Sequence, residues 1–406
     1  MAYKRRVIRT LRVRNQQQVG ALSKVIQAIA SGGGDIGDIK THSLGTFHTV
    51  RDISMECEDE EQLETILQAV RAIKTTRLEA VVDDVMELHK GGKLLVVPKH
   101  PVKSVEDLRK VYTPGVAAVS MHLQSHPEEA CEYTGIARTV ALVTNGTRVL
   151  GLGNIGPIAA MPVMEGKAAL FSQFSGYNMI PILLKTEDPD EFVKNVIAIS
   201  PAFGAIQLED IQTPDCFQIE ERLIQKLEIP VMHDDQHGTG AAGSSIARLV
   251  MSYTGKNVTG TDVQPYAIKR MKKMGGAIVA SIAEVMKRSD IVIATTGHAG
   301  LIKPEMVRKG QIILALSNPD PEISIKEAVA AGAGFASDGR YVNNLLGYPG
   351  ILRGAIEGGA KRITAEMYLA AVEAIVRQTA KGELVPDPLN PALHEAVAAA
   401  VRKAVR

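Results

Sequence analysis

Cysteine is scarce in this 406-residue chain, which has only Cys57, Cys131 and Cys216. An odd number of widely spaced cysteines indicates neither a disulfide framework nor a thiolate metal site. No apolar run is long enough to span a bilayer, and none of signal-peptide length follows the basic start of the chain. We therefore expect a cytoplasmic protein.

An excess of charge is also lacking, because 46 basic residues oppose 45 acidic ones and leave a net charge of +1. This balance gives no reason to expect nucleic acid or an anionic membrane as a partner. What is present is ordinary globular composition, with 45% hydrophobic and 22% charged residues. The length suggests two or three domains.

Residues 1–88 show the pattern of a separate α/β unit. Hydrophobic periodicity predicts strands at 7–13, 35–42, 50–57 and 78–85, with helical stripes at 19–29 and 63–73. The order βαββαβ is that of a small sheet with helices on one face. A linker is predicted at residues 90–93, where two glycines lie between lysines.

This unit resembles the ACT domain, a module that binds regulatory amino acids at the turn between its first strand and first helix. Gly20-Ala21-Leu22 and Gly34-Asp35-Ile36 carry the resemblance. Val19 departs from it, because many ACT domains have a proline there. The resemblance implies an amino-acid effector, and a dimerisation domain with an empty site is the alternative.

Two pairs of acidic residues follow apolar runs. Glu209-Asp210 follows residues 204–208, and Asp234-Asp235 comes shortly after residues 229–232. Open α/β sheets bind ligands at the carboxyl ends of their strands, and Mg²⁺ and Mn²⁺ prefer carboxylate oxygens. Together the pairs favour a metal site, whereas each pair alone is more typical of solvated acids at strand ends.

A tyrosine and a lysine are candidates for proton transfer. Tyr112 follows a short helical stretch at 105–111 and precedes a turn forced by Pro114-Gly115. Lys167 is predicted at the start of an apolar helix at 168–174, where burial, a metal and the positive helix end would lower its pKa and make it a base. The alternatives are a packing tyrosine and a surface lysine.

The formal G-x-G-x-x-G pattern at Gly151-Leu152-Gly153-Asn154-Ile155-Gly156 is interpreted as a false dinucleotide signal. Pro157 and Pro162 should allow only a short helix after it, and no clean second strand ending in an acid follows. The glycines are predicted to let the backbone turn close to a substrate. Arg148 just before them is a candidate clamp for a carboxylate.

Taken in order, the motifs from about Gly91 to the C-terminus resemble the malic enzymes of the small bacterial type, part of which carry an N-terminal ACT-like domain. The resemblance is carried by Tyr112-Thr113-Pro114-Gly115, Arg148 with its glycine loop, Gly166-Lys167-Ala168, Leu208-Glu209-Asp210-Ile211, His233-Asp234-Asp235-Gln236-His237-Gly238-Thr239, Leu316-Ser317-Asn318-Pro319 and Asn343-Asn344 with Pro349-Gly350.

The resemblance implies oxidative decarboxylation of malate to pyruvate with NAD and Mg²⁺ or Mn²⁺, NADP being the other possible nucleotide. It assigns the metal ligands to Glu209, Asp210 and Asp235. It makes Lys167 the base, Asp234 the residue that orients it, and Tyr112 the general acid. The substrate carboxylates and hydroxyl fall to Arg148, Asn318 and Asn344.

The cofactor region departs from the family. Relatives have a helix, a linker and a first strand before their glycine loop, whereas Thr239 here runs directly into Gly240, as if about thirty residues were missing. Gly238, Gly240 and Gly243 restore a formal G-x-G-x-x-G, and Asp262 lies at the distance expected of a ribose ligand. Thr296, together with Asn318, is predicted on the nicotinamide side, and a plain turn is the alternative for the Thr296 loop.

Without a first strand, residues 229–232 or 257–261 must take its place, or the cofactor site is defective; an artefact in the sequence is a further alternative.

The predicted α/β architecture has an ACT-like domain at 1–88 and a catalytic domain at 89–239. A compact, shortened Rossmann-like NAD domain is expected at 240–340. The C-terminal segment 341–406 should begin with a polar loop at 343–350 and pack back on the catalytic domain through helices at 363–381 and 393–405.

Two other functions stay open at this point. One is an oxaloacetate decarboxylase that no longer needs NAD, and the other is a non-catalytic amino-acid sensor. A homodimer or higher homo-oligomer is expected.

Overall fold

The computed structural model describes residues 6–149, 152–233, 242–317, 320–339 and 344–406. Contacts divide the chain into two units, Met1–Lys93 and Leu94–Arg406. The predicted site residues Asp234, Asp235, Gly238, Gly240 and Asn318 lie outside the described residues. Within the described ranges, no helix combines the length and the apolar character needed to cross a membrane.

The first unit has the predicted βαββαβ order. Its elements are β1 (Val7–Gln16), α1 (Ala21–Ser31), β2 (Asp35–Leu44), β3 (His48–Cys57), α2 (Glu60–Arg71) and β4 (Thr76–Asp83). The strands form an antiparallel sheet in the order β2-β3-β1-β4. A short helix that was not predicted, α3 (Asp84–His89), follows and belongs to the same unit.

The core of this unit forms between the apolar faces of α1 and α2 and one face of the sheet. The apolar residues of α1 and α2 recur at helical spacing, and Val25, Ile29, Ile66 and Val70 are fully buried against β1 and β3. The two helices therefore cover one face of the sheet, as the sequence pattern predicts.

The second unit begins with three helices that bury no residue of their own. They are α4 (Val105–Val111), α5 (Gly115–Ser125) and α6 (Ala130–Tyr133). The bounds of α4 confirm the helical stretch predicted before Tyr112.

A four-stranded parallel sheet follows, and we call it the catalytic sheet. Its elements, in chain order, are β5 (Thr139–Thr144), α7 (Gly156–Ser175), β6 (Asn178–Leu183), α8 (Pro189–Ile199), β7 (Ala205–Leu208), α9 (Asp215–Lys226) and β8 (Val231–His233). The strand order is β6-β5-β7-β8, and β7 is buried along its whole length. Glu209-Asp210 follows β7 directly, and the chain reaches Asp234 where β8 ends, so both acid pairs follow strand ends as predicted.

The prediction of only a short helix after the glycine loop is wrong. α7 runs for 20 residues and continues through Pro162. Pro157 lies at the first helical turn, where a missing N–H costs nothing. Pro162 is inside the helix, and burial of Met164, Ala168 and Phe171 in the following turns outweighs its local penalty. A parallel strand, β6, also follows α7, but it ends at Leu183 and not in an acid, so only the argument from helix length fails.

The cofactor region is built from short elements. They are α10 (Ala242–Thr254), β9 (Thr259–Gly260), α11 (Pro265–Lys273), β10 (Ala277–Ile278), α12 (Ile282–Arg288), β11 (Ile291–Ala294), β12 (Ile312–Ala315), α13 (Ile325–Ala330) and β13 (Phe335–Asp338). The strands form two separate parallel sheets, β10-β9 and β11-β12-β13. Among the described residues, no strand connects β9 with β11.

This division falls where a doubly wound sheet has its first strand, between the second and the fourth. By order along the chain, β9 and β10 correspond to the second and third strands, and β11 and β12 to the fourth and fifth. Neither predicted substitute fills the gap in the described part. β8 pairs with β7 in the catalytic sheet, and residues 257–261 give only the two-residue β9.

Three C-terminal helices, α14 (Tyr348–Glu357), α15 (Ala365–Gln378) and α16 (Pro391–Ala404), complete the core of the catalytic sheet. Leu352, Met367 and Val397 pack in one cluster with Leu142 of β5 and Phe171 of α7, which confirms the predicted return. The predicted polar loop at 343–350 is wrong in its second half. Residues 348–350 are buried and begin α14, because the apolar run that follows continues at helical spacing.

Candidate active site

Two buried carboxylates stand at the carboxyl end of β7. Glu209 is 6% exposed and Asp210 is 4% exposed. Asp210 has a φ of 53° and is the one non-glycine residue with positive φ among those described. Such a backbone is held in place only by its surroundings, and it is typical of functional positions.

Lys167 contacts one carboxylate of this pair, that of Glu209, directly. Its Nζ forms a buried ion pair with Glu209 Oε1, and its side chain is only 9% exposed. The prediction that Lys167 begins a helix is wrong, since it lies in the middle of α7. A carboxylate, rather than a helix end, therefore sets the electrostatic environment of its ammonium.

Two residues that were not predicted as site residues contact the ion pair of Lys167 and Glu209. The hydroxyl of Tyr348 donates to the backbone oxygen of Lys167 at 3.0 Å, and Lys167 Nζ lies 5.3 Å from the centre of the Tyr348 ring. Gln207, fully buried on β7, donates from Nε2 to Glu209 Oε2 at 3.4 Å. A glutamine inside the apolar run of β7 was the sequence signal for the second contact.

The loop that carries Arg148 reaches the same strand end. The backbone N–H of Arg148 donates to the backbone oxygen of Asp210 at 3.0 Å, and its Nη1 donates to Thr213 Oγ1 at 2.6 Å. A Cβ on Gly146 would lie 2.3 Å from Gly156 O, so this loop needs glycine to close. This close approach holds the Arg148 loop next to a predicted metal ligand.

Two other predicted site residues, Tyr112 and Asn344, are exposed. Tyr112 is 67% exposed, and its phenol makes no hydrogen bond within the described residues. Asn344 is exposed and begins the short 3₁₀ turn before α14. The structure thus brings together Lys167, Glu209, Asp210 and the Arg148 backbone.

The donor set suits a hard divalent cation. Two adjacent carboxylates at a strand end offer the oxygen ligands that Mg²⁺ and Mn²⁺ prefer. Within the described ranges, no group of three or more His, Cys, Asp or Glu side chains is assembled for a metal. The third predicted ligand, Asp235, lies outside those ranges, so Glu209 and Asp210 supply the part of the site that can be described.

Asp262 lies between β9 and α11, as a ribose ligand requires. Its Oδ1 accepts a hydrogen bond from the backbone N–H of Gln264 at 2.8 Å. Burial, followed by the charge of Asp262, raises the pKa of the nearby Tyr266. Gly243 lies in the first turn of α10, at the position expected for the last glycine of the loop.

Thr296 lies in the loop after β11, where the nicotinamide side is predicted. Both its backbone N–H and its hydroxyl donate to Glu322 Oε1, at 2.7 and 2.9 Å. Glu322 is fully buried and was not predicted as a site residue. Its place two residues after Asp320 and beside the apolar Ile323 gave no clear sequence signal for it.

Comparison with known proteins identifies the family. The family model described as "Malic enzyme, N-terminal domain" matches residues 91–188 and 185–224. An NAD-dependent malic enzyme from Bacillus subtilis is 49% identical, over 98% of this chain and 98% of that protein. The chain belongs to the malic enzyme family. An NAD-dependent malic enzyme from Geobacillus stearothermophilus is 36% identical over 97% of this chain and 94% of its own length.

A solved structure supports the fold of this malic enzyme. The crystal structure of a malic enzyme from Pyrococcus horikoshii has a TM-score of 0.69 and 36% identity, covering 79% of this chain and 89% of that one. The B. subtilis alignment adds a further observation. It runs over 428 positions, whereas 98% of 406 residues is about 398, so about thirty positions have no counterpart in this chain.

Proposed function

We infer that the chain catalyses the oxidative decarboxylation of malate to pyruvate and CO₂ with NAD. The observation that carries this function is the buried group of Lys167, Glu209 and Asp210 at the end of β7, in a chain 49% identical to an NAD-dependent malic enzyme over nearly its full length. A base, two oxygen ligands and a nearby cofactor region are what this chemistry needs.

Roles follow for the residues that transfer protons. Lys167, in its neutral form, would take the proton of the malate hydroxyl, and NAD, when bound, would supply the hydride acceptor for the same carbon. The carbon–carbon bond then breaks and CO₂ departs, and Tyr112 protonates the enol that remains. Asp234 is proposed to orient Lys167, alongside the Glu209 contact.

Binding roles are proposed for the residues around this centre. Glu209, Asp210 and Asp235 would hold Mg²⁺ or Mn²⁺, which when bound acts as a Lewis acid toward the substrate oxygens. Arg148, Asn318 and Asn344 would hold the malate carboxylates and hydroxyl. The guanidinium of Arg148 suits a carboxylate because its planar fork matches two oxygens.

The cofactor would lie across the second half of the chain. Gly238, Gly240 and Gly243 would receive the pyrophosphate, and Asp262 the ribose, which favours NAD over NADP. Thr296 and Asn318 would line the nicotinamide side. These roles place an NAD domain at 240–340, a catalytic domain at 89–239 and a C-terminal segment at 341–406.

We also propose that about thirty residues are missing before Gly240. The unmatched positions in the B. subtilis alignment support this, as does the division between β9 and β11 in the described residues. A dinucleotide site needs its glycine turn held between a buried strand and a helix. NAD should therefore bind more weakly than metal and malate do.

The N-terminal unit, residues 1–88 in the predicted division, is proposed to be an ACT-like regulatory domain. Its βαββαβ order supports this role, and so does Gly20, which has a φ of 82° just before α1.

A homodimer or higher homo-oligomer is proposed as well. The helices α4 and α5 bury no residue within one chain, and Val105, Leu108 and Met121 on them are exposed.

One assay series tests this function. NADH formation from malate is followed with Mn²⁺, with a chelator, and with single amino acids added, beside decarboxylation of oxaloacetate without NAD. We expect Mn²⁺-dependent NADH formation and Mn²⁺-dependent oxaloacetate decarboxylation. Absence of both activities in the presence of Mn²⁺ would show that the proposed function is wrong.

A further inference from the structure

Glu322 stands at the centre of a buried hydrogen-bond network in the cofactor region. It is fully buried, and four groups donate to its carboxylate. Its Oε1 accepts from Thr296 N, Thr296 Oγ1 and Ser317 Oγ at 2.7, 2.9 and 2.6 Å. Its Oε2 accepts from Ser317 N at 3.3 Å.

The donors belong to two loops. Thr296 follows β11 and Ser317 follows β12, and these strands are parallel neighbours whose last residues, Ala294 and Ala315, are paired. The carboxyl ends of such strands are where open α/β sheets bind ligands. Glu322 therefore joins the two loops at the ligand-binding edge of the three-stranded sheet.

The network extends one residue beyond Thr296. Gly297 N donates to Ser317 Oγ at 2.7 Å, and that hydroxyl in turn donates to Glu322. Gly297 has a φ of 71°, so the loop turns sharply there. Fixing Thr296, Gly297 and Ser317 together fixes the backbone on either side of the predicted nicotinamide position.

The negative charge of Glu322 has a second effect, on which form of the cofactor binds more tightly. Within the part of the chain that the structure describes, Glu322 has no ion pair with Lys, Arg or His. Hydrogen bonds to a carboxylate disperse its charge but do not cancel it. A buried negative charge acts over several ångströms in a low-dielectric interior. The nicotinamide ring is positive in NAD⁺ and neutral in NADH, so such a charge distinguishes the two forms.

We propose that Glu322 is a positioning residue of the cofactor site, which sets the two loops around the nicotinamide and favours NAD⁺ over NADH by its charge. The proposal rests on the proposed function, because that function places the nicotinamide beside Thr296. One buried carboxylate thus fixes the geometry of both loops and makes the site bind NAD⁺ more tightly than NADH.

Two substitutions separate geometry from charge. E322Q removes the charge and retains an oxygen for the three donors at Oε1, and it loses only the 3.3 Å hydrogen bond from Ser317 N. S317A retains the charge and removes the hydroxyl that joins Gly297 to Glu322. E327Q is the matched control, since Glu327 is an exposed glutamate that caps α13 nearby, and glutamine can serve in the same cap.

The measurement is the dissociation constant of each cofactor form on the full chain, by NADH fluorescence and by displacement of NADH with NAD⁺. For E322Q, the ratio of the NADH constant to the NAD⁺ constant should fall by about threefold to tenfold. For S317A, both constants should rise by a similar factor with the ratio unchanged. E327Q should match the unmodified chain.

Several results would overturn the inference. An unchanged ratio in E322Q excludes the charge effect, and unchanged constants in S317A exclude the positioning effect. If E322Q fails to fold, S317A still decides the positioning role. An unmodified chain that binds both cofactor forms but makes no NADH from malate would contradict the proposed function instead, which keeps the two failures distinct.

Discussion

The catalytic sheet and the cofactor region are built on the same principle, yet only one of them is continuous. In the catalytic sheet four parallel strands pair without interruption, and the carboxylates of Glu209 and Asp210 emerge buried from its centre. In the cofactor region the described strands fall into two sheets, β10-β9 and β11-β12-β13. A strand-end site is as rigid as the sheet beneath it, so the metal and base side should be well formed and the nucleotide side weakened.

The largest effect is expected from Asp235→Ala, which tests the metal side of this comparison. Loss of a metal ligand should abolish malate oxidation and oxaloacetate decarboxylation together. Mn²⁺ affinity should fall about 100-fold or more, since even partners of metal ligands contribute 10- to 100-fold. Titration with Mn²⁺, followed by both assays, measures this. Asp190→Ala, which removes an exposed carboxylate of α8, is the control. Oxaloacetate decarboxylation with unchanged metal dependence would show that Asp235 is not a ligand.

Lys167→Ala should have the next largest effect, on the chemical step. Loss of a general base lowers kcat by about 100- to 10,000-fold. Mn²⁺ affinity should stay the same or rise, because the ammonium that pairs with Glu209 is gone. Steady-state rates and Mn²⁺ titration distinguish the two effects, with Lys194→Ala on α8 as the control. Near-normal turnover would exclude Lys167 as the base.

Restoring a strand would test the weakness of the cofactor region directly. A helix-plus-strand segment of about thirty residues, inserted between Thr239 and Gly240, should tighten NAD binding by about tenfold or more, because the pyrophosphate loop gains a rigid base. Malate oxidation should rise while oxaloacetate decarboxylation changes little. A Gly/Ser insert of equal length is the control. Calorimetric titration gives the affinities, and tight one-to-one NAD binding by the unmodified chain would contradict the premise.

The smallest effect concerns the packing of the catalytic sheet. His394 is 1% exposed, stacks on Phe174 and donates to Pro388 O, and burial lowers its pKa below the usual 6.5. The unfolded chain therefore binds this proton more readily. Stability from the neutral ring is complete above pH 6.5 and is lost as pH falls toward the lowered folded value. The thermal midpoint should decline with acid less steeply in His394→Gln than in the unmodified chain, and parallel curves would exclude this role.

The pattern of apolar residues predicted those elements that are determined by residues close together along the chain. The βαββαβ order, the strands before both acid pairs and the returning C-terminal helices all follow from apolar spacing. The surroundings of Lys167 could not be predicted in this way, because Glu209 lies 42 positions further along the chain and meets it only after β7 has paired with β5.

Two other errors have the same origin. Pro162 suggested a broken helix, yet packing of the following turns against the sheet outweighs the local penalty. The four donors of Glu322 come from two loops that precede it, and no periodicity reports a contact of that kind. Residues whose role depends on distant partners were the ones missed.

The backbone of Asp210 has a consequence for how the protein can change. Its φ of 53° suits glycine or asparagine better than aspartate, so replacing it by glycine would relieve strain of order 1–3 kcal/mol. The same replacement would remove a carboxylate from the end of β7. With the proposed role of Asp210 as a metal ligand, selection for a more stable scaffold and selection for activity act in opposite directions at this position. A library of variants chosen for heat resistance alone would be expected to collect inactive proteins altered at residue 210.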